Sequence, residues 1–360
     1  MTQPQTALFR KVYGCLAGSA IGDAMGGTTE MMHYQTIERL FGRVTDLLPR
    51  GTTPATARFT PGEPAGAYTD DTRLKHLLCQ AIVDRNGRVT AADLMETWRE
   101  HMTGWYFTPV LNSYYKVAAG DARPREAGRG NMGSNSTAMS ISPIGIINAG
   151  DPRQAAQDAY DVAGLVHEGY ARDAACSVAA AVAEAFTPAA TVDSILDAAT
   201  AYLDRQSTLI AFIDRALAMA RDSDSYEAFR ARFYDEALLP WPQKDFAGSL
   251  PPDGFYDTAE PRETVPTALG LFALAGGAYR DSVIYAANFG RDSDTIGAII
   301  GAISGVFQGV EAIPPDWLRL VNEANPVNQE DLARNMHAAL LAEMQRLEQR
   351  LARLRQMDAV

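Results

Sequence analysis

The run from Ala298 to Gly309 is apolar on nearly every face and carries glycine at 301, 305 and 309, with Gly297 just ahead of it. A helix that is apolar all round belongs inside a core. Each glycine in a helix interior costs roughly 1 kcal/mol relative to alanine, so glycine at every fourth position asks for a return. Close approach by a neighbouring helix backbone supplies it. Bounded by Asp294 and Glu311, the run falls short of the roughly 20 residues a bilayer span needs. It therefore reads as the central helix of a soluble protein. Arg291, Asp292, Ser293, Asp294 and Thr295 stand immediately upstream, so two carboxylates sit at the mouth of a buried helix.

The rest of the chain reads as helices packed around that one. Apolar positions recur at helical spacing from Ala7 to Met25, ending in a glycine-rich turn that carries Asp23 and Glu30. Further helices are expected at about 90–102, 152–165, 170–186, 191–203, 207–221, 225–235, 263–275 and 279–289, with short connections. Residues 43–67 and 237–262, the latter with Trp241 and Gly248, read as long loops. No βαβ alternation is present, so the fold class is all-α, a compact orthogonal multi-helix bundle. From Gln329 to Met357, Leu332, Met336, Leu340, Met344, Leu347, Leu351 and Leu354 approach a heptad seam. The division read from this is a main domain over 1–325 and a helical extension over 326–360. That extension either packs back on its own domain or joins two copies as a homodimer, and it is expected to be dispensable for chemistry.

Composition narrows the class of partner. A formal net charge of −12 over 360 residues offers no basic surplus for phosphate backbones, so nucleic-acid binding is not expected. Cys15, Cys79 and Cys176 stand alone in Ala- and Leu-rich surroundings and read as buried thiols. The N-terminal residues lack a continuous apolar segment, and the expected location is cytoplasmic, with no membrane association.

Thr69, Asp70, Asp71 and Thr72 repeat the grammar of Asp292, Ser293, Asp294 and Thr295: clustered carboxylates and hydroxyls at the start of a helix. Capping explains one such residue per helix. Two carboxylates ahead of a buried helix, at two separate places, need a counter-charge, because an uncompensated buried charge costs several kcal/mol. Mg²⁺ or Mn²⁺ bound through carboxylate and hydroxyl oxygens would provide it. The absence of His and Cys from both motifs argues against Zn²⁺. Arg221, Asp222, Ser223, Asp224 and Ser225 nearly copy the second motif but precede an ordinary amphipathic helix, and they read as a solvated connection.

These residues carry a resemblance. Gly14 to Gly26 (GCLAGSAIGDAMG), Glu30, Thr69-Asp70-Asp71-Thr72, Gly130-Asn131, Pro143-Ile144-Gly145, His167 and Gly290 to Gly297 (GRDSDTIG) follow one another as in the ADP-ribosylglycohydrolases, over about residues 8–310. The resemblance implies an all-α fold and a centre of two Mg²⁺ or Mn²⁺ ions. It also implies cleavage of the bond between C1″ of ADP-ribose and an acceptor, on an ADP-ribosylated protein or a small ribosyl compound. Thr69, Asp70, Asp71, Asp292, Asp294 and Thr295 match the metal ligands, and Glu30 with Asp71 are the candidate catalytic carboxylates. The loop of Gly130, Asn131, Met132, Gly133 and Ser134 matches the one lining the ADP-ribose site. His167 is either structural or beside the ligand.

Two features keep alternatives. Arg129 and Arg291 either neutralise a pyrophosphate or pair with acidic neighbours. The aromatic group at Trp105, Tyr106, Phe107, Tyr114 and Tyr115 is either core or a stacking surface for adenine. Against the main reading stand an N-glycoside hydrolase of a different nucleoside or nucleotide, a module that binds ADP-ribose without cleaving it, and a structural protein on the same scaffold. The residues name no acceptor.

Overall fold

A computed structural model describes residues 5–51, 62–237 and 259–358. Its regular elements are sixteen α-helices and two short 3₁₀ turns, with one isolated antiparallel bridge between Arg50 and Glu63. In the first half lie α1 (Ala7–Gly26), α2 (Tyr34–Phe41), α3 (Asp70–Arg85), α4 (Ala91–His101), α5 (Thr108–Ala118) and α6 (Ser142–Ile147). Then come α7 (Pro152–Ala163), α8 (Tyr170–Ala185), α9 (Val192–Ala201), α10 (Thr208–Arg221) and α11 (Tyr226–Glu236). The last five are α12 (Pro261–Leu274), α13 (Tyr279–Phe289), α14 (Ser293–Gln308), α15 (Pro315–Ala324) and α16 (Gln329–Asp358). The fold is all-α as expected. Two of these helices, α2 and α15, are amphipathic but span only 8 and 10 residues, too short for periodicity to stand out. Of the two long loops, residues 52–61 and 238–258, including Trp241 and Gly248, lie outside the described residues.

The central element is a pair. Helices α1 and α14 run antiparallel with their glycines facing: Gly14 meets Gly305, Gly18 meets Gly301, Gly22 meets Gly297, and Gly26 meets Ser293. A Cβ on Gly22 would stand 2.0 Å from the carbonyl oxygen of Gly297, and one on Gly297 would stand 2.1 Å from that of Gly22. No side chain larger than hydrogen fits, so the two backbones touch, and the cost of the helical glycines is offset by this contact. Because the register is antiparallel, the C-terminal end of α1, with Asp23, lies against the N-terminal end of α14, with Asp294. Lys11 closes the opposite end, donating to the carbonyl oxygens of Ala185 at 2.7 Å and Val306 at 3.1 Å.

The long terminal helix α16 divides in two. Its first half buries Gln329, Ala333, Met336, Ala339 and Leu340 in the core shared with α1, α3 and α6. Gln329 reaches His76 of α3 at 3.3 Å. Just before it, the Asn325 side chain accepts from Tyr68 N–H and donates to the carbonyl oxygen of Gly66 at 2.8 Å, fixing the backbone that leads into Thr69. The second half projects, with Leu347, Leu351, Leu354 and Met357 about half exposed or more. The first half of α16 therefore packs back on its own domain, while Asn325 just ahead of it steadies the backbone leading into the first acidic motif. All three cysteines are buried and free. Among the described residues no helix is long and apolar enough to cross a membrane.

Two measurements check this description. Gly297→Ala should lower the unfolding free energy by about 3 kcal/mol in denaturant titration, because backbone has no room to yield. A chain ending at Asn328 loses Met336 and Leu340, core side chains worth about 2–5 kcal/mol each, and should not fold stably. One ending at Arg346 should keep its stability within about 0.5 kcal/mol and will report in ultracentrifugation whether the projecting half carries self-association.

Candidate active site

Three segments distant in sequence meet where α1 ends. Helix α14 begins with Asp292, Ser293, Asp294 and Thr295, all buried. Its first turn is sewn to the end of α1: Ser293 Oγ donates to the carbonyl oxygen of Gly26 at 2.8 Å, and Thr29 Oγ1 lies 3.1 Å from Ser293 Oγ. The turns carrying Glu30 and Asp292 also clasp each other. Met31 N–H donates to the carbonyl oxygen of Arg291 at 2.7 Å, and Arg291 N–H to that of Met32 at 2.8 Å. Both Met31 (φ 63°) and Arg291 (φ 58°) are left-handed, a conformation that costs a non-glycine residue of order 1 kcal/mol and gathers at functional sites.

The first acidic motif is held by a residue to which the sequence assigned no role. Asp23, fully buried, accepts from Thr69 N–H at 2.9 Å, from Thr72 N–H at 3.0 Å and from the Thr72 hydroxyl. It fastens the N-terminus of α3 to α1. Thr69 caps α3, its Oγ1 accepting from Asp71 N–H at 3.2 Å. Asp71 in turn accepts from Thr295 Oγ1 at 2.9 Å, which ties the two acidic motifs directly. Asn135, one residue past the loop singled out in the sequence, donates from Nδ2 to Asp292 Oδ2 at 2.6 Å. The only hint of Asp23 was an acid inside a glycine-rich apolar helix. The sequence assigned Asn135 no role.

A cleft of about 500 Å³ opens over these groups. Glu30, Asp70, Asp71, Asp292, Asp294 and Thr295 line it, with Trp105, Phe107 and Thr108 on one side and Asn135, Ser136, Met139, Met31 and Ala259 completing the wall. The aromatic group thus splits: Tyr106 is core, at 3 % exposure, while Trp105, 64 % exposed, stands at the mouth. A groove of about 990 Å³ beside α7, α8 and the α9–α10 turn is larger. Volume alone does not mark the site, since that groove lacks a comparable gathering of buried carboxylates.

Several expected substrate contacts lie elsewhere. Asn131 donates to Ser113 Oγ at 2.9 Å and to the carbonyl oxygens of Val166 at 2.9 Å and Pro109 at 3.1 Å, and its Oδ1 accepts from Lys116 at 2.8 Å. That makes it the knot tying α5 to the chain before His167. Ser134 is buried with its hydroxyl 3.1 Å from His167 Nε2. Burial lowers His167 to about 3, so its ring is neutral at physiological pH. Gly133 gives room to the Tyr170 hydroxyl, Gly130 takes φ +72°, and Met132 is exposed. None of Gly130 to Ser134, nor His167 or Thr69, forms part of the cleft wall. Arg291 is buried in a two-pronged ion pair with Glu263, Nη2 to Oε2 being 2.9 Å. Of the two readings left open for Arg291, pairing with an acid is the one observed. Arg129 lies 3.4 Å from Glu168 at the surface. The copy at Asp222 to Ser225 is a solvated connection, with Ser225 capping α11.

The acids strain against one another. Burial raises the pKa of Asp71, Asp294 and Glu30 well above the usual carboxylate range, and the neighbouring carboxylates push in the same direction. Burial also raises Asp292, to about 7, even though hydrogen bonds from Asp294 and Asn135 pull it down. Among the described residues Asp294 Oδ1 is buried with no hydrogen-bond partner. Among the described residues no three His, Cys, Asp or Glu side chains close on a common point. The structure therefore shows a donor set and not a finished shell. Its chemistry is all hard oxygen, and an orphaned carboxylate oxygen faces its fellows; both suit Mg²⁺ or Mn²⁺.

An all-helical scaffold with acids converging on a cleft defines the class. The family model for ADP-ribosylglycohydrolase matches residues 4–355, and the chain belongs to that family of glycohydrolase enzymes, which acts on ADP-ribosylated substrates. Among its relatives, the uncharacterized protein YegU of Escherichia coli (strain K12) is 29% identical over 355 residues, covering 92% of this chain and 96% of that one. ADP-ribosylhydrolase ARH3 of Gallus gallus is 26% identical (88% and 89% covered), and that of Homo sapiens 25% (84% and 87%). A solved structure titled ADP-ribosylglycohydrolase-related protein complex shares the fold with a TM-score of 0.62 at 21% identity, covering 93% of this chain and 99% of that one. The family match extends past the last motif read by eye, into α16.

Asp23→Asn tests the fastening of α3. An amide presents two N–H groups where three donors now converge, and each buried donor left unsatisfied costs about 1–3 kcal/mol. The Thr69 and Thr72 amides should exchange hydrogen at least about tenfold faster than in the wild type, as followed by mass spectrometry or NMR.

Proposed function

We propose that this enzyme is a divalent-cation-dependent hydrolase that cleaves the bond between C1″ of ADP-ribose and an acceptor, reversing ADP-ribosylation. The observation that carries the reading is the convergence of five carboxylates from three segments on one cleft, with Asp294 Oδ1 buried and unpartnered. Asp70, Asp71, Asp292 and Asp294, with the hydroxyls of Thr69 and Thr295, are the groups that would hold two ions. Bound Mg²⁺ or Mn²⁺ supplies Lewis acidity and lowers the pKa of water.

The chain's own residues do the rest. Cleavage at a ribose C1 passes through an oxocarbenium-like state, which the concentrated negative charge stabilises. Glu30, the one acid on the α1 side of the cleft, is placed to take a proton from the attacking water or return one to the leaving group through its carboxylate oxygens. Asp71 is anchored by Thr295 and keeps its register with Asp294. Trp105, Phe107 and Thr108 narrow the mouth and offer planar apolar surface, which limits water around the reacting bond.

One observation favours a second reading, hydrolysis of an uncharged nucleoside. The cleft wall holds no Lys, Arg or His among the described residues, and Arg291 is committed to Glu263, so a diphosphate meets no cation there. A single panel separates the two. The protein is incubated with Mg²⁺ or Mn²⁺ and ADP-ribosylated arginine and serine peptides, ADP-ribosylated nucleic-acid ends and free nucleosides, and products are read by mass spectrometry. Release of ADP-ribose that falls by about 10²-fold or more in Glu30→Gln and Asp294→Ala, and stops in chelator, is expected. Turnover of nucleosides alone moves the enzyme to the second reading.

A further inference from the structure

Lys75 plays no part in the chemistry above, yet its charge lies deep in the core. It sits one helical turn beyond Asp71 on α3, has no exposed surface, and donates to the carbonyl oxygen of Leu16 in α1 at 3.1 Å. Among the described residues Leu16 is its one hydrogen-bond acceptor, and no carboxylate lies within ion-pair range. An ammonium taken out of water with one neutral acceptor costs several kcal/mol. A methionine would fill the same space. Something at longer range must offset the charge.

Only a few titratable groups act on this ammonium. Besides Cys79 and Cys15, thiols that burial pushes up to about 12 and so keeps neutral, the fields of Asp23 and Asp71 favour its charged form, and His76, which Lys75 and burial lower, stays neutral. Burial lowers Lys75 to about 8, which leaves it mostly protonated at neutral pH. Arg50 plays a similar part from the opposite side. It is buried against Gly27, and its field reaches both Asp23 and Glu30. Lys75 and Arg50 are thus buried cations whose fields reach Asp23, Asp71 and Glu30, while Arg73, nearer the surface, acts on Asp70.

We propose that Lys75 is a resident counter-charge of the acidic centre, which holds Asp23 and Asp71 together when the ligand set is empty and sets how tightly that set takes divalent cations. The inference rests on reading the acids as a cation site. Lys75, Asp23 and Asp71 are all buried, so its field is weakly screened. Removing it makes the centre one charge more negative and should strengthen cation binding. A role in packing alone predicts the reverse, because loosening α3 from α1 would spread the ligands.

The test is isothermal titration of Mn²⁺ into chelator-stripped full-length protein, for the wild type, Lys75→Met and Lys75→Gln, with folding checked by circular dichroism. Expected are two Mn²⁺ per wild-type chain, binding at least about tenfold tighter in both variants, and a lower melting temperature for the variants in chelator. Unchanged or weaker Mn²⁺ binding in a folded variant overturns the proposal. Where a variant is too unstable without metal, the dependence of its melting temperature on Mn²⁺ concentration gives the affinity, and the same two outcomes decide. A wild type that binds no Mn²⁺ removes the cation reading and this inference together. Bound metal with unchanged variants removes the inference alone.

Discussion

Everything at the site depends on two backbones touching. The glycines of α1 and α14 bring the helices to a separation that no Cβ permits, and antiparallel register then puts the end of one beside the beginning of the other. Asp23 and Glu30 arrive from the first helix, Asp292 and Asp294 from the second. Asp23 recruits α3 and with it Asp70 and Asp71. A wider spacing would leave room for side chains but would part the acids. Catalytic geometry and core packing are here one constraint, which makes the glycines as indispensable as the carboxylates.

Electrostatics works against this assembly. Buried carboxylates that raise one another's pKa are a source of instability in a chain that otherwise packs alanine and isoleucine. The offsets are arranged in layers: hydrogen bonds from Thr295 and Asn135, backbone donors to Asp23, and cations set behind the acids. Arg291 belongs to none of these. Its pair with Glu263 neutralises a charge beside the site, and its left-handed backbone turns the chain into Asp292.

Much of this was legible in the sequence, and the divide follows range. Helical periodicity and glycine spacing are local, so the long helices, the buried run and its need for a close neighbour could all be read within 20 residues. The acidic motifs were legible because two carboxylates ahead of a buried helix exceed what capping requires. The roles of Asp23 and Asn135 were not, since each is defined by a partner dozens of residues or more away: Thr69 and Thr72 for one, Asp292 for the other. The contacts of the loop at 130–134 were hidden for the same reason. Its small polar residues suit a ligand, but Asn131 spends its whole hydrogen-bonding capacity on α5 and Val166. The terminal helix also looked separable because its seam is regular, while the anchoring atoms of Asn325 and Gln329 act on Gly66 and His76.

That last contact bears on how the enzyme is born. The chain is made from its N-terminus, and α1, carrying Asp23, emerges long before α14, with which it must pair. Helix α16, which covers α1 and α3, emerges later still. Until α14 is made the glycine face of α1 has no partner and the acidic motifs stand apart, so a nascent chain has no assembled cleft. Assembly of the cleft therefore waits for α14 and α16, and a chain released before them lacks the contacts of Asn325 and Gln329 with Gly66 and His76.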